Sequence, residues 1–109
     1  MAQNFASHAV RCYWTGRIQL TNGQRYQCHC IQISDSLVEI EPPTSVLGSA
    51  KVMLEMNGFH EGNIRKIKTI CRPVQDILND HDQHYLQLKY DKIRDEDLSF
   101  IEKFIHDNS

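Results

Sequence analysis

The sequence has little of what small functional sites are usually built from. Its four cysteines, Cys12, Cys28, Cys30 and Cys71, form no CxxC pair, and a reducing cytosol would keep them as thiols. No run approaches the roughly 18 apolar residues of a membrane span. Neither sign of charge dominates. The formal net charge is −2 and the pI is near 6.3, so there is no overall positive field to draw nucleic acid or an anionic membrane. The opening MAQNFASHAV has no basic region followed by an apolar core, so it does not read as a secretory signal. A cytoplasmic protein without membrane insertion is expected.

What is present is an ordinary soluble globule. With 109 residues, 40% hydrophobic and 24% charged, the chain supports one core and one domain. A run of short alternating segments begins near Tyr13. YWTGRIQL, Tyr13 to Leu20, places Trp14, Ile18 and Leu20 on one face. RYQCHCIQI, Arg25 to Ile33, does the same for Tyr26, Cys28 and Cys30. A two-residue Asn22-Gly23 turn between them would mix these faces. A three-residue loop ending in a left-handed Gly23 instead pairs Ile18 with Tyr26 and Trp14 with Cys30, which keeps the apolar set together. The apolar phase then slips to Ile31 and Ile33, which predicts either a bulge or a fully buried strand end.

Ser34-Asp35-Ser36 reads as a turn and LVEIE, Leu37 to Glu41, as a third strand ended by Pro42-Pro43. Its backbone is an open edge to which a second copy could pair. Ala50 to Met56 alternates cleanly as strand four, with turns expected at Asn57-Gly58 and Glu61-Gly62-Asn63. Strand five is expected from about Ile64 to Val74, and Gln75 to His84 as a hairpin tip. Strand six puts His84, Leu86, Leu88 and Tyr90 on one face. A helix follows, with Asp95 as N-cap, Glu96 and Asp97 in its first turn, and a stripe of Leu98, Ile101, Phe104 and Ile105. The expected fold is mainly β: a six-stranded antiparallel barrel (13–109) with one C-terminal helix, preceded by a flexible segment (1–12).

Six strands and a closing helix in this order resemble the PilZ domain family of bacterial cyclic di-GMP receptors. IQISDSLVEIE resembles the family's strand-turn-strand around its Asp/Asn-x-Ser-x-x-Gly motif. LGSAKVMLEM resembles the strand after a glycine-containing turn, and YLQLKYDKIRDEDLSFIEKFI resembles the last strand, connector and helix. The resemblance implies a non-enzymatic signalling domain. Candidate partners are proteins of pilus, flagellar or exopolysaccharide machinery, and the candidate ligand is cyclic di-GMP, with no other cofactor.

The ligand motifs are where this chain departs. Family receptors carry Arg-x-x-x-Arg ahead of the first strand, because arginine forks bind phosphates and guanine edges bidentately. Here Arg11 stands at the second position and Ser7 at the first. Arg11 and Arg17 are spaced too widely to restore the motif. In the second motif Ser34 matches the serine, Gln32 takes the Asp/Asn place and Leu37 the glycine place. The ligand-binding candidates carried over are therefore Arg11, Gln32 and Ser34, with Leu37 crowding the floor. Each lost charged contact costs about 1.5–3 kcal/mol, so affinity is expected to fall roughly 10²- to 10⁴-fold.

Other constellations have plainer explanations. Cys28 and Cys30 share a strand face, but His29 between them points away, so Cys-His-Cys is poor metal geometry and buried thiols are expected. Arg65, Lys66, Lys68 and Arg72 form a basic cluster read as a solvated face offset by Asp76, Asp80 and Asp82. His81-Asp82-Gln83-His84 reads as turn chemistry. A lone Trp14 in a small barrel reads as core rather than a stacking platform. No base, nucleophile and oxyanion donors assemble, so no catalytic residue is expected. The reading is a PilZ-like domain that acts mainly through protein partners with weak or no nucleotide binding; the alternative is a receptor with a reduced motif.

Overall fold

The computed structural model describes residues 9–42, 50–78 and 84–109. Six strands, β1 (Val10–Leu20), β2 (Arg25–Ile33), β3 (Leu37–Glu41), β4 (Val52–His60), β5 (Asn63–Leu78) and β6 (His84–Ile93), precede helix α1 (Asp95–Asn108). All pairs are antiparallel, and the order β1-β2-β3-β6-β5-β4 closes back on β1. The fold class expected from the order of elements is the one found.

The register follows the apolar pattern. Ile18 faces Tyr26 and Trp14 faces Cys30, joined by a loop with Gly23 at φ 90°, as the three-residue reading predicted. Inward residues of every strand then meet in one core that includes Ile18, Cys30, Ile40, Leu54, Ile67 and Leu88. Four irregularities bend the wall so that it can close. Cys12 and Tyr13 oppose Ile31, Ile31 is extra against β3, Val74 is extra beside Pro73, and Asp91 is extra on β6. The bulge allowed after Cys30 is the second of these.

Several expectations are corrected. β1 starts at Val10, not Tyr13, because Val10 and Arg11 pair with Ile33 and Gln32; residues 1–8 lie outside the described residues. Asn57-Gly58 makes no turn. Gly58 lies within β4, where an added Cβ would come within 2.8 Å of the Phe100 ring, so the glycine lets the helix approach the barrel. The turn falls at Glu61 and Gly62, both at positive φ, as a two-residue hairpin requires. β5 extends to Leu78, pairing residues expected in the hairpin tip with β6; 79–83 lie outside the described residues. β3 is not an open edge: β2 and β6 flank it on both sides.

Helix α1 packs across the barrel beside Trp14. The Trp14 ring lies 4.7 Å from Phe104 and 6.1 Å from Phe100, both tilted, and its Nε1 donates to the Phe59 carbonyl at 3.2 Å. Arg94, not Asp95, is the N-cap, without a side-chain cap bond. Leu98 is only half-buried, and the position facing the barrel is taken by Asp97, 2% exposed, whose Oδ1 accepts from Arg65 Nε at 2.8 Å. An acid replaces the expected leucine in the buried stripe because β5 supplies its counter-charge. Among the described residues no helix is long and apolar enough to cross a membrane.

Candidate functional site

The three residues singled out from the sequence fall at the far end of the β1–β2 hairpin, and they meet different fates. Arg11 and Gln32 are direct cross-strand partners, and Gln32 in turn faces Glu39 on β3. Gln32 Nε2 donates to Glu39 Oε1 at 3.3 Å. The amide expected to address a base is thus already engaged with a carboxylate. That carboxylate would repel an incoming phosphate. Arg11 is exposed, donates to the Tyr13 hydroxyl, and lies with Cζ 5.8 Å from the Tyr13 ring centre, within cation–π range. Tyr13 sits in the bulge at φ 54°, a conformation that bulky residues adopt only where the surroundings enforce it.

Ser34 is fully buried. Its Oγ accepts from the backbone N–H of Leu37 at 3.0 Å and of Ser36 at 3.2 Å, and donates to the Leu37 carbonyl at 3.3 Å. The hydroxyl's capacity, one donor and two acceptor sites, is spent on the β2–β3 turn. That turn is also tied to β6, where Tyr90 N–H donates to Ser36 O at 3.2 Å and the Tyr90 hydroxyl to Ser34 O at 3.4 Å. Burial pushes the Tyr90 phenol well above its ordinary value, so it stays a donor. Leu37, at the glycine place, is half-buried opposite Lys89. The structure brings Arg11 and Gln32 together, while Ser34 is sealed away as a strut.

Sequence reasoning missed the cleft beside Arg11. It measures about 510 Å³ and is lined by Tyr13, Phe59 and Ile64 with Phe104 and Asn108 of α1. Tyr13, Phe59 and Ile64 are 60%, 52% and 72% exposed, and Phe59 and Ile64 face each other across β4 and β5. The signal that could have found it is the pair of apolar residues flanking the Glu61-Gly62 turn. Trp14, by contrast, is 4% exposed and offers no stacking face.

Cys28, Cys30 and Cys71 line the core, and Cys12, partly buried, also borders the cleft beside Arg11. Cys28 and Cys30 are buried while His29 between them is exposed, which separates the histidine from the sulfurs. Cys30 is pushed well above the ordinary thiol value by its hydrogen bond with Cys28 and by burial. Burial raises Cys12 to about 11 and Cys71 to about 12. Protonated thiols are poor nucleophiles and poor metal ligands. One group that the sequence did not suggest, His60, Glu61 and Asp107, places its ligand atoms within 4.8 Å of one another. His60 Nε2 lies 2.7 Å from Asp107 Oδ2, but Lys103 Nζ is 3.2 Å from Asp107 and 3.5 Å from Glu61. The ammonium already supplies the positive charge there, and a metal ion would have to displace it.

Three members of the basic cluster have carboxylate partners on other elements. Arg65 pairs with Asp97, Lys68 with Glu55 and Arg72 with Asp91, because these residues face one another across β4, β6 and α1. Of the acids expected to offset it, Asp80 and Asp82 lie outside the described residues.

A closed six-stranded antiparallel barrel with a helix after its last strand is the PilZ-like architecture, and this chain has that fold. Solved structures of PilZ proteins superpose on it. The Bacillus subtilis inhibitor of motility MotI/DgrA matches with a TM-score of 0.83 at 14% identity over 97% of this chain and 51% of that one. The PilZ domain of YcgR from Escherichia coli, solved with c-di-GMP, gives 0.67 at 6% identity, covering 97% and 92%. The K. pneumonia MrkH–c-di-GMP complex gives 0.66 at 19% identity, covering 98% and 53%. The chain spans about half the length of MotI/DgrA and MrkH. No family model matches the chain, and no curated protein matches it.

Proposed function

We propose that this chain is a non-enzymatic PilZ-like domain in cyclic di-GMP-linked regulation, acting mainly by docking on protein partners, with weak or no nucleotide binding. The observation that carries the reading is Ser34. Its hydroxyl is fully buried and makes three bonds to its own turn, so the motif serine has no valence left for a ligand. Glu39, hydrogen-bonded to Gln32, adds negative charge where a phosphate would be needed. The raised thiols argue against nucleophilic chemistry in the core. Two of the structural neighbours were solved with c-di-GMP and a third is an inhibitor of motility, which supports a place in cyclic di-GMP-linked control. A cytoplasmic location accords with this reading.

The second reading is a genuine receptor with a reduced motif. Exposed Arg11, directly opposite Gln32, favours it. Isothermal titration with cyclic di-GMP to millimolar concentration, with Arg11→Ala as control, separates the two. No heat and no thermal stabilisation supports the docking reading. Saturable binding abolished by Arg11→Ala establishes the receptor instead.

A further inference from the structure

One wall of the barrel, away from Arg11, Gln32 and Ser34, concentrates positive charge around an aliphatic strip. Across the strands Arg25, Gln19, Met53, Ile70 and Lys92 stand in one row, each the direct partner of the next. The neighbouring row is Arg17, Glu55 and Lys68. Two shallow clefts of about 340 and 200 Å³ lie along these rows and share Met53 and Lys68. Met53 is 45% exposed, and Ile70 and Ile93 continue its apolar floor.

The charge on this strip is lopsided. Five of the chain's 12 basic residues line the two clefts, against one of its 14 acidic residues, Glu55. Glu55 is shared between Arg17 at 3.0 Å and Lys68 at 3.7 Å, and Arg94 at the rim is held by Glu96 and Asp97. Among the described residues Arg25 reaches only the neutral Gln19. A surplus of cations therefore faces solvent on a chain whose net charge is −2. The Glu55 carboxyl is held below its ordinary value, first by the Arg17 hydrogen bond and then by Lys66 and Lys68 nearby, which reports the same positive field.

The geometry points to this β1–β4–β5–β6 wall as the docking surface for an acidic segment of a partner protein, one carrying an aliphatic side chain between its carboxylates. The carboxylates meet Arg17, Arg25, Lys68 and Lys92, and the aliphatic side chain rests on Met53 and Ile70. Buried apolar contact gives affinity, while the surrounding charges set on-rate and partner choice. Nucleic acid fits less well. The floor is aliphatic, without the aromatic faces on which bases stack, and Glu55 stands among the cations. The surface lies at the opposite end of the β1–β2 hairpin from Arg11, eight residues along β1 and on the order of 25 Å away.

This inference deepens the docking reading and rests on it. The test is fluorescence anisotropy of the whole chain with a labelled peptide of Asp and Glu around a central Leu, beside the same peptide with Asn and Gln. Duplex DNA and phosphatidylglycerol vesicles are the competing probes. The acidic peptide should bind, weaken with added salt, and lose about tenfold in affinity with Lys68→Glu plus Lys92→Glu, two exposed charge reversals. The milder pair Arg25→Gln and Lys92→Gln should lose less, and Arg11→Ala nothing. Circular dichroism and melting confirm that the variants fold. Equal binding of the neutral peptide, insensitivity to the reversals, or binding of DNA or vesicles in place of the peptide would overturn the proposal. A parallel cyclic di-GMP titration keeps the two readings apart: saturable binding abolished by Arg11→Ala refutes the weak-or-no-nucleotide part of the proposed function and leaves this surface standing. Peptide failure removes the surface alone.

Discussion

Removing the Ser34 hydroxyl distinguishes a ligand residue from a structural one. In Ser34→Ala the turn loses two accepted bonds, from Leu37 N–H at 3.0 Å and Ser36 N–H at 3.2 Å, and one donated to Leu37 O at 3.3 Å. A neutral hydrogen bond contributes a net 0.5–1.5 kcal/mol or so. The long donated bond counts least, because Leu37 O also accepts from Ser34 N–H at 2.8 Å. Ser36 is exposed and its N–H can turn to water, whereas Leu37 is half-buried and its N–H is harder to rescue. Deleting a fully buried hydroxyl also relieves its own desolvation, which offsets part of the loss. The balance is about 1.5–2 kcal/mol. For a domain of this size that is on the order of 5–10 °C in Tm, read by thermal and urea unfolding with m unchanged. A Tm within a degree of the parent, together with loss of a measurable cyclic di-GMP affinity, would refute the argument and return Ser34 to the ligand site.

Gly16→Ala should destabilise by about 1–3 kcal/mol by overpacking, because a Cβ there would stand 2.9 Å from the backbone carbonyl of Glu55; a urea midpoint equal to the parent's would refute it. Asp97→Ala leaves Arg65 without its 2.8 Å partner. The cost should be about 2–3 kcal/mol, below the 3–5 of a fully buried pair since the Arg65 left behind is 35% exposed, and Arg65→Met should cost more than Asp97→Ala by the same unfolding assay, because it strands the buried carboxylate with only Arg94 at 3.5 Å. Stability should also fall at both ends of the pH scale. Glu55, Asp91 and Asp107 are held below their ordinary carboxylate values of 4.5, 3.8 and 3.8 by Arg17, by Lys51, and by His60 with Lys103. Their contribution is present above those values and is lost as pH falls through the lower folded ones. Burial raises Cys12 and Cys71 from 9.0 to about 11 and about 12, so that part is complete below 9 and is lost as pH rises toward 12. A urea midpoint flat from pH 3 to 11 would contradict both limbs.

The parts of the fold that were legible in the sequence depend on period and loop chemistry. Alternation with a period of two fixes which side chains face inward, and a left-handed Gly23 lets only one register of β1 on β2 keep Trp14, Ile18, Tyr26 and Cys30 together. The slip after Cys30 showed as a bulge for the same reason. What misled was punctuation whose meaning is tertiary. Asn57-Gly58 looks like a turn, yet Gly58 is small because Phe100 arrives from a helix far along the chain. Asp97 looks like a dipole-favoured first-turn acid, yet it is buried because Arg65 waits on β5.

The same division runs through the site. A motif read along the chain identifies which residue types are present, and Arg11, Gln32 and Ser34 are present. Whether each is free to bind is decided by neighbours across strands. Glu39 reaches Gln32 only because β3 lies beside β2, and Ser34 is spent on Leu37 because the turn between those strands is tight enough to bring Oγ to the N–H. Leu37 is half-buried with its backbone paired to Lys89 of β6, and its own N–H and carbonyl are the groups that Ser34 Oγ bonds. A motif read along the chain names residue types, while bonds made across a turn or between strands engage each side chain, and those bonds carry no period or spacing in the sequence.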